Sequence, residues 1–230
     1  MKKVLILLVL TIFPIQAFAS SNNKLTQDNA IYTRINNTGA KILNSNKFEK
    51  RVTFVYDETG KKNILRADKS LTKRQVVIYG EAYKQIESDD ELAAYISREI
   101  PAAIRSYKGG TGWLSSVKIK AAPKKYELLF DKLAVDYMVK AGYNPLGLIT
   151  YIHKTCPQTR QDVISSTNLT SKRLAYIYEK IYTQYPSFLI NNTYLNNEYY
   201  QNFLLTSLEN RKKVVEKSKN PKNKRDLNYE

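Results

Sequence analysis

Residues 90–103 read D-E-L-A-A-Y-I-S-R-E-I-P-A-A, from Asp90 to Ala103. Leu92, Ala93, Ile96, Ile100, Ala103 and Ile104 recur at helical spacing, which brings them to one face. Asp89, Asp90 and Glu91 stand where that helix begins, and their charge suits the positive end of its dipole. Pro101 removes one backbone hydrogen bond at a cost of about 3 kcal/mol in a helix interior. A kink or an early end is therefore expected near residues 97–101.

Working outward, the segment before this helix reads as a small sheet. R-V-T-F-V-Y at 51–56 and Q-V-V-I-Y at 75–79 are rich in β-branched and aromatic residues and predict strands. Asp57-Glu58-Thr59-Gly60 is a turn after the first, and residues 63–66 are a candidate short strand between them. Ahead of the sheet, Ile31, Ile35, Ile42 and Leu43 predict a helix over 31–43, and the polar run 20–29 reads as a mobile lead-in. Beyond the quoted stretch, Gly109-Gly110-Thr111-Gly112 with Trp113 is a loop. It lacks the spacing and the following Lys-Ser/Thr of a phosphate cradle.

Helices are expected over 126–141, closed by Gly142 and broken by Asn144-Pro145, then over 146–154, and over 172–185 with Thr170 or Ser171 as cap and Pro186 as stop. The tyrosines of 172–185 fall at core spacing. Residues 211–230 hold eight basic and three acidic residues with few apolar ones, and they read as a frayed helix end running into a disordered tail.

The first nineteen residues carry the marks of an export signal: Lys2 and Lys3, an apolar run over 4–15, and Ala17-Phe18-Ala19 as an A-x-A cleavage site. The apolar run is shorter than the roughly 17 residues that a membrane span needs. Cleavage after Ala19 leaves 211 residues (230 − 19), sized for one domain over 20–210 plus the basic tail. The alternative is an uncleaved anchor. Cys156 is the only cysteine, so the chain forms no internal disulfide, and it reads as a small buried hydrophobe. Formal net charge is +16, or +14 once Lys2 and Lys3 are removed with the signal. Such a surface attracts anionic lipid or envelope polymers, while export argues against a nucleic-acid partner.

The quoted helix has the frame of an H-E-x-x-H zinc site, in which two histidines at i and i+4 hold the ion and the glutamate between them is the general base. Glu99 keeps the glutamate's place, but Arg98 and Ala102 stand where the histidines would be. Neither can ligate zinc, since arginine is always cationic and alanine has no donor atom.

Three segments in order resemble the zinc metallopeptidases of family forty-eight, the HtpX, CAAX prenyl protease and BepA-like group. V-V-I-Y-G-E-A-Y-K-Q-I-E-S-D-D-E-L at 76–92 is similar to the family's strand, glycine turn and acidic lead-in. Y-E-L-L-F-D-K-L-A-V-D-Y-M-V-K-A-G-Y-N-P at 126–145 resembles its E-x-x-A-D helix and A-G-Y-D-P turn. S-T-N-L-T-S-K-R-L at 166–174 is similar to a late S-T-H-P-x-x-x-R-L segment. The resemblance spans about half the chain. It implies that Glu99 holds the catalytic position, Glu127 that of the third zinc ligand and Asp131 that of the helix's aspartate, with Asn168 replacing a histidine. His153 is the only histidine, so no other alignment rebuilds the motif. It reads as a side chain on a helix surface or in a core crevice rather than a ligand.

The expected fold is α+β and mostly helical, a small sheet followed by a zincin-like helical core. The expected function is that of an exported, periplasmic or secreted pseudo-peptidase, without a cofactor, that binds an envelope protein or peptide. The alternatives are a zinc endopeptidase with an atypical site and a cationic membrane-associating protein. With zinc absent, Arg98 is expected within about 4 Å of Glu127 or Asp131, forming a structural ion pair.

Overall fold

The computed structural model describes residues 15–60, 74–106, 123–156 and 169–220. In chain order they form α1 (Ile15–Ser45), β1 (Thr53–Asp57), β2 (Gln75–Tyr79), α2 (Gly80–Tyr83), α3 (Asp89–Ser106), α4 (Pro123–Lys140) and α5 (Leu146–Thr155). The C-terminal part supplies α6 (Leu169–Gln184), α7 (Ser187–Ile190), α8 (Glu198–Thr206) and α9 (Leu208–Lys219). The fold is α+β and mostly helical.

The stretch 90–103 lies within α3, around which the rest is arranged. The Ser88 hydroxyl accepts the Glu91 N–H at 3.2 Å, capping one of the helix's open donors. Periodicity predicted one apolar face, yet every residue from 91 to 103 is buried, because α1, β2, α4 and α5 all pack on this helix. Encasement also explains Pro101. The helix does not end near 97–101 but runs on to Ser106. Burial of Ile100, Ala102 and Ala103 offsets the one lost backbone bond.

β1 and β2 pair in parallel, in register from Thr53 opposite Gln75 to Asp57 opposite Tyr79. The candidate strand at 63–66 lies outside the described residues. A two-stranded sheet exposes two edges, and each has a carbonyl covered by a tyrosine: Tyr32 donates to Tyr56 O at 3.3 Å and Tyr95 to Val77 O at 2.9 Å. α1 lies against β1 closely enough that a Cβ at Gly39 would sit 2.3 Å from the Phe54 ring and would have to displace it. The helix predicted over 31–43 is part of a longer one, and 20–29 is helical rather than a mobile lead-in. No Gly or Pro interrupts the chain between Ile15 and Thr38, so the helical hydrogen bonding runs unbroken. The expected cleavage site at Ala17-Phe18-Ala19 falls within α1, and residues 1–14 lie outside the described residues.

α4 closes at Gly142, whose φ of 71° is left-handed and suits glycine at a helix end. α5 then folds back on α3, and α6 packs on both α4 and α5. Thr170 and Ser171 are buried inside α6 and do not cap it. The basic segment was expected to be frayed from residue 211. Instead it is a packed helix as far as Lys219, because Val214 is buried and Lys217 reaches Glu179 on α6 at 2.5 Å. Residues 221–230 and the loop at 109–113 lie outside the described residues. No helix among the described residues is long and apolar enough to cross a membrane.

Candidate functional site

Positions 98 and 102 are one turn apart on α3, and Glu127 and Asp131 one turn apart on α4, so the packing of the two helices brings these pairs face to face. Between them lies the Arg98 guanidinium, 1% exposed. Its Nε donates to Asp131 Oδ1 at 3.2 Å and its Nη1 to Glu99 Oε1 at 2.5 Å. Its Nη2 pairs with Glu127 Oε2. One planar cation thus meets all three carboxylates through three different nitrogens, which lysine could not do.

A second arginine completes the cluster. Arg173 on α6, fully buried, donates from Nε to Asp131 Oδ2 at 2.6 Å and from Nη2 to Asp131 Oδ1 at 2.8 Å. Asp131 therefore accepts from two helices at once and links α3, α4 and α6. Burial alone would lower the Arg173 pKa, but the charge and hydrogen bonds of Asp131 outweigh it and raise the value further. Sequence reasoning gave Arg173 no role. Its signal was a charged residue set among Thr170, Leu174 and Ile177 on the inward side of α6. Tyr95 and Tyr151 stand nearby, their rings edge to face at 5.9 Å. Burial and the Glu99 charge push both phenols well above the ordinary tyrosine range. Burial also raises the pKa of the Cys156 thiol.

The residues present do not fit a zinc ion. Zinc needs lone-pair donors at about 2.0–2.3 Å. The Arg98 guanidinium has none and carries positive charge where the ion would sit, and it already engages the Glu99, Glu127 and Asp131 carboxylates. Ala102 packs its methyl against Phe130, with Tyr126 and Leu129 beside it. Among the described residues, no group of three or more His, Cys, Asp or Glu is placed to hold a metal. Asn168 lies outside the described residues. His153 is buried on α5 against the Tyr199 ring at 6.4 Å, and burial lowers its pKa. Glu99 is tied to Arg98 through Oε1, and the cluster clamps three helices together.

A separate charge cluster joins α3 to α5. Buried Glu91 accepts from the Thr150 hydroxyl at 2.8 Å and from Lys154 Nζ at 2.8 Å, and Lys154 also reaches Glu87 at 3.1 Å. Glu91 further accepts the Glu87 N–H at 2.8 Å.

Comparison with family models, curated proteins and solved structures returns no match.

Proposed function

We propose that this chain is an exported relative of the zinc metallopeptidases that has lost catalysis and acts by binding an envelope protein or peptide. The observation carrying this reading is the place of Arg98. Its buried guanidinium spans Glu99, Glu127 and Asp131, the three carboxylates that the family resemblance assigns to the catalytic, ligand and supporting positions. A dication there would face a fixed positive charge at contact distance. Phe130 adds support. It takes the place of alanine in the E-x-x-A-D pattern, and it packs on Ala102, where a second histidine ring would need room. Both substitutions work in one direction: one fills the metal position with charge, the other fills the ligand position with an apolar ring. The zincin-like character of the helical core belongs to the same proposal.

The test is metal analysis of the processed chain, purified and dialysed against zinc, together with proteolysis of an unfolded casein substrate. The expected result is no stoichiometric zinc and no chelator-sensitive cleavage. One zinc per chain, lost together with peptidase activity on adding a chelator, would establish a working enzyme with an atypical site.

A further inference from the structure

We infer that the outward face of α8 and α9 pairs with the same face of a second copy of this chain, the helices running parallel about a two-fold axis. The inference does not depend on the state of the Arg98 cluster. Among the described residues the exposed large hydrophobic side chains are Tyr32, Ile190, Leu195, Leu205 and Leu208, and all but the first fall within 190–208. Leu205 is 77% exposed and Ile190 79%, values at which water covers most of each side chain.

The helix phase fixes what shares that face. Tyr200, Phe203, Ser207, Asn210 and Val214, at alternating steps of three and four, are buried, and through this stripe α8 packs on α5 and α9 on α6. The Ser207 N–H donates to Phe203 O at 3.0 Å and the Arg211 N–H to Ser207 O at 3.0 Å, so α9 continues from α8 with little change of phase. At about 100° per residue, Leu205 lies opposite the middle of the buried stripe. Glu198 and Glu216 then fall about 20° and Glu209 about 40° to one side of it, whereas Lys212 falls about 20° and Lys219 about 40° to the other. Leu208 flanks the lysine side, and Lys213 stands at the acidic margin, about 80° round. The Gln201 amide donates to the Leu195 carbonyl, which brings Leu195 beside this face.

Charge selects the occupant. In a chain of +16 this face carries three acidic and three basic residues, so it gives a polyanion or an acidic bilayer no net attraction. Its signs are sorted into two stripes on either side of Leu205. A two-fold axis along the helices turns the acidic stripe of each copy toward the lysine stripe of the other, setting Glu209 and Glu216 against Lys212 and Lys219 of the second copy. Antiparallel helices would set acid against acid. Within one copy Glu209 already holds Lys212 at 2.8 Å, an exposed pair worth about 0–1 kcal/mol and therefore readily exchanged. Leu205 meets its counterpart at the centre, where water would otherwise cover both. Charge on the far sides of the two copies is screened at physiological salt, where the Debye length is about 8 Å. With a small apolar centre the pair is weak and concentration-dependent.

The experiment is sedimentation equilibrium of the processed chain at rising concentration, followed by cysteine cross-linking. A monomer–dimer equilibrium is expected. The double variant Leu205→Ser with Leu208→Ser keeps the net charge and is expected to dimerise about tenfold more weakly, or weaker still. Both leucines are exposed, so its circular dichroism should match that of the parent. Leu205→Cys and Lys212→Cys, made singly, test the direction. They lie two turns apart on one face, and only parallel helices bring each to its own counterpart. Both should therefore form disulfide-linked dimers on mild oxidation, whereas Glu81→Cys, at an exposed position on α2, should not. Native Cys156 is buried. A chain that stays monomeric to about 1 mM overturns the assignment, and so does a dimer that the serine variant leaves unchanged. Cross-linking at only one of positions 205 and 212 overturns the parallel pairing. A monomer that floats with anionic vesicles, and ceases to do so as the serine variant, would give the face to a bilayer and equally overturn the inference.

Discussion

Replacing Arg98 with alanine leaves three carboxylates to find new partners, and their surroundings differ. Glu99 is the most accessible of the three and can recruit water. Asp131 keeps both hydrogen bonds from Arg173. Glu127 is buried, and among the described residues Arg98 is its ion-pair partner. The cost therefore concentrates on Glu127, one buried carboxylate without compensation, which typically destabilises by about 3–5 kcal/mol. Arg34 provides the control. Its guanidinium, 33% exposed, pairs with an Asp89 that is 68% exposed, and such surface pairs are worth about 0–1 kcal/mol. Urea denaturation followed by far-UV circular dichroism gives both values by linear extrapolation. Arg98→Met combined with Glu127→Gln removes both charges at similar volume, and it should recover most of the loss. Total stabilities run at about 5–15 kcal/mol, so Arg98→Ala could prevent folding, and Arg98→Lys, which keeps the charge but not the fork, then gives a graded measure. If Arg98→Ala costs within about 1 kcal/mol of Arg34→Ala, the clamp argument is wrong.

The reading of Phe130 predicts that Arg98→His with Ala102→His gains little zinc affinity, whereas adding Phe130→Ala increases it. Competition against a chromogenic chelator would show the order, and equal affinities would reject a steric role for Phe130. Lys154→Met removes the cation from buried Glu91 and should destabilise by about 3 kcal/mol, which Glu91→Gln on the same background should largely reverse. His153 has a folded pKa below its ordinary 6.5, so below that pH the unfolded chain binds the proton more readily than the folded one. Stability should therefore fall as pH drops through 6.5, and His153→Phe should flatten the decline in melting temperature between about pH 7.5 and 5.5. An identical slope in the two proteins would remove His153 as its source. Finally, mass spectrometry of the exported chain should place its first residue at Ser20, and an intact Met1 would argue instead for a retained anchor.

Local pattern sufficed for much of the architecture. Spacing alone located α4, α5 and α6 to within a few residues and the start of α3, and β-branched runs located both strands, because these signals depend on neighbours a turn or a pleat away. Arg98, Glu99, Glu127 and Asp131 became positions of interest through the resemblance to the metallopeptidases, and local pattern alone would have given them no role. It failed where distant chain decides. Pro101 signalled a helix end to any local reading, yet α3 continues because segments far along the chain enclose it. The polar character of 211–219 pointed to a free tail, while Val214 and Lys217 find their partners on α6.

What the sequence by itself determined was the class of the fold and the absence of histidine at positions 98 and 102, since periodicity and side-chain chemistry are properties of the residues alone. Only the tertiary structure decided which charge meets which. Arg98 and Asp131 are 33 residues apart, and Arg173 and Asp131 are 42 apart. An arginine in an apolar stripe has no readable role until a carboxylate from another helix reaches it. The cost of burying charge then makes that partnership obligatory, and no local pattern encodes it.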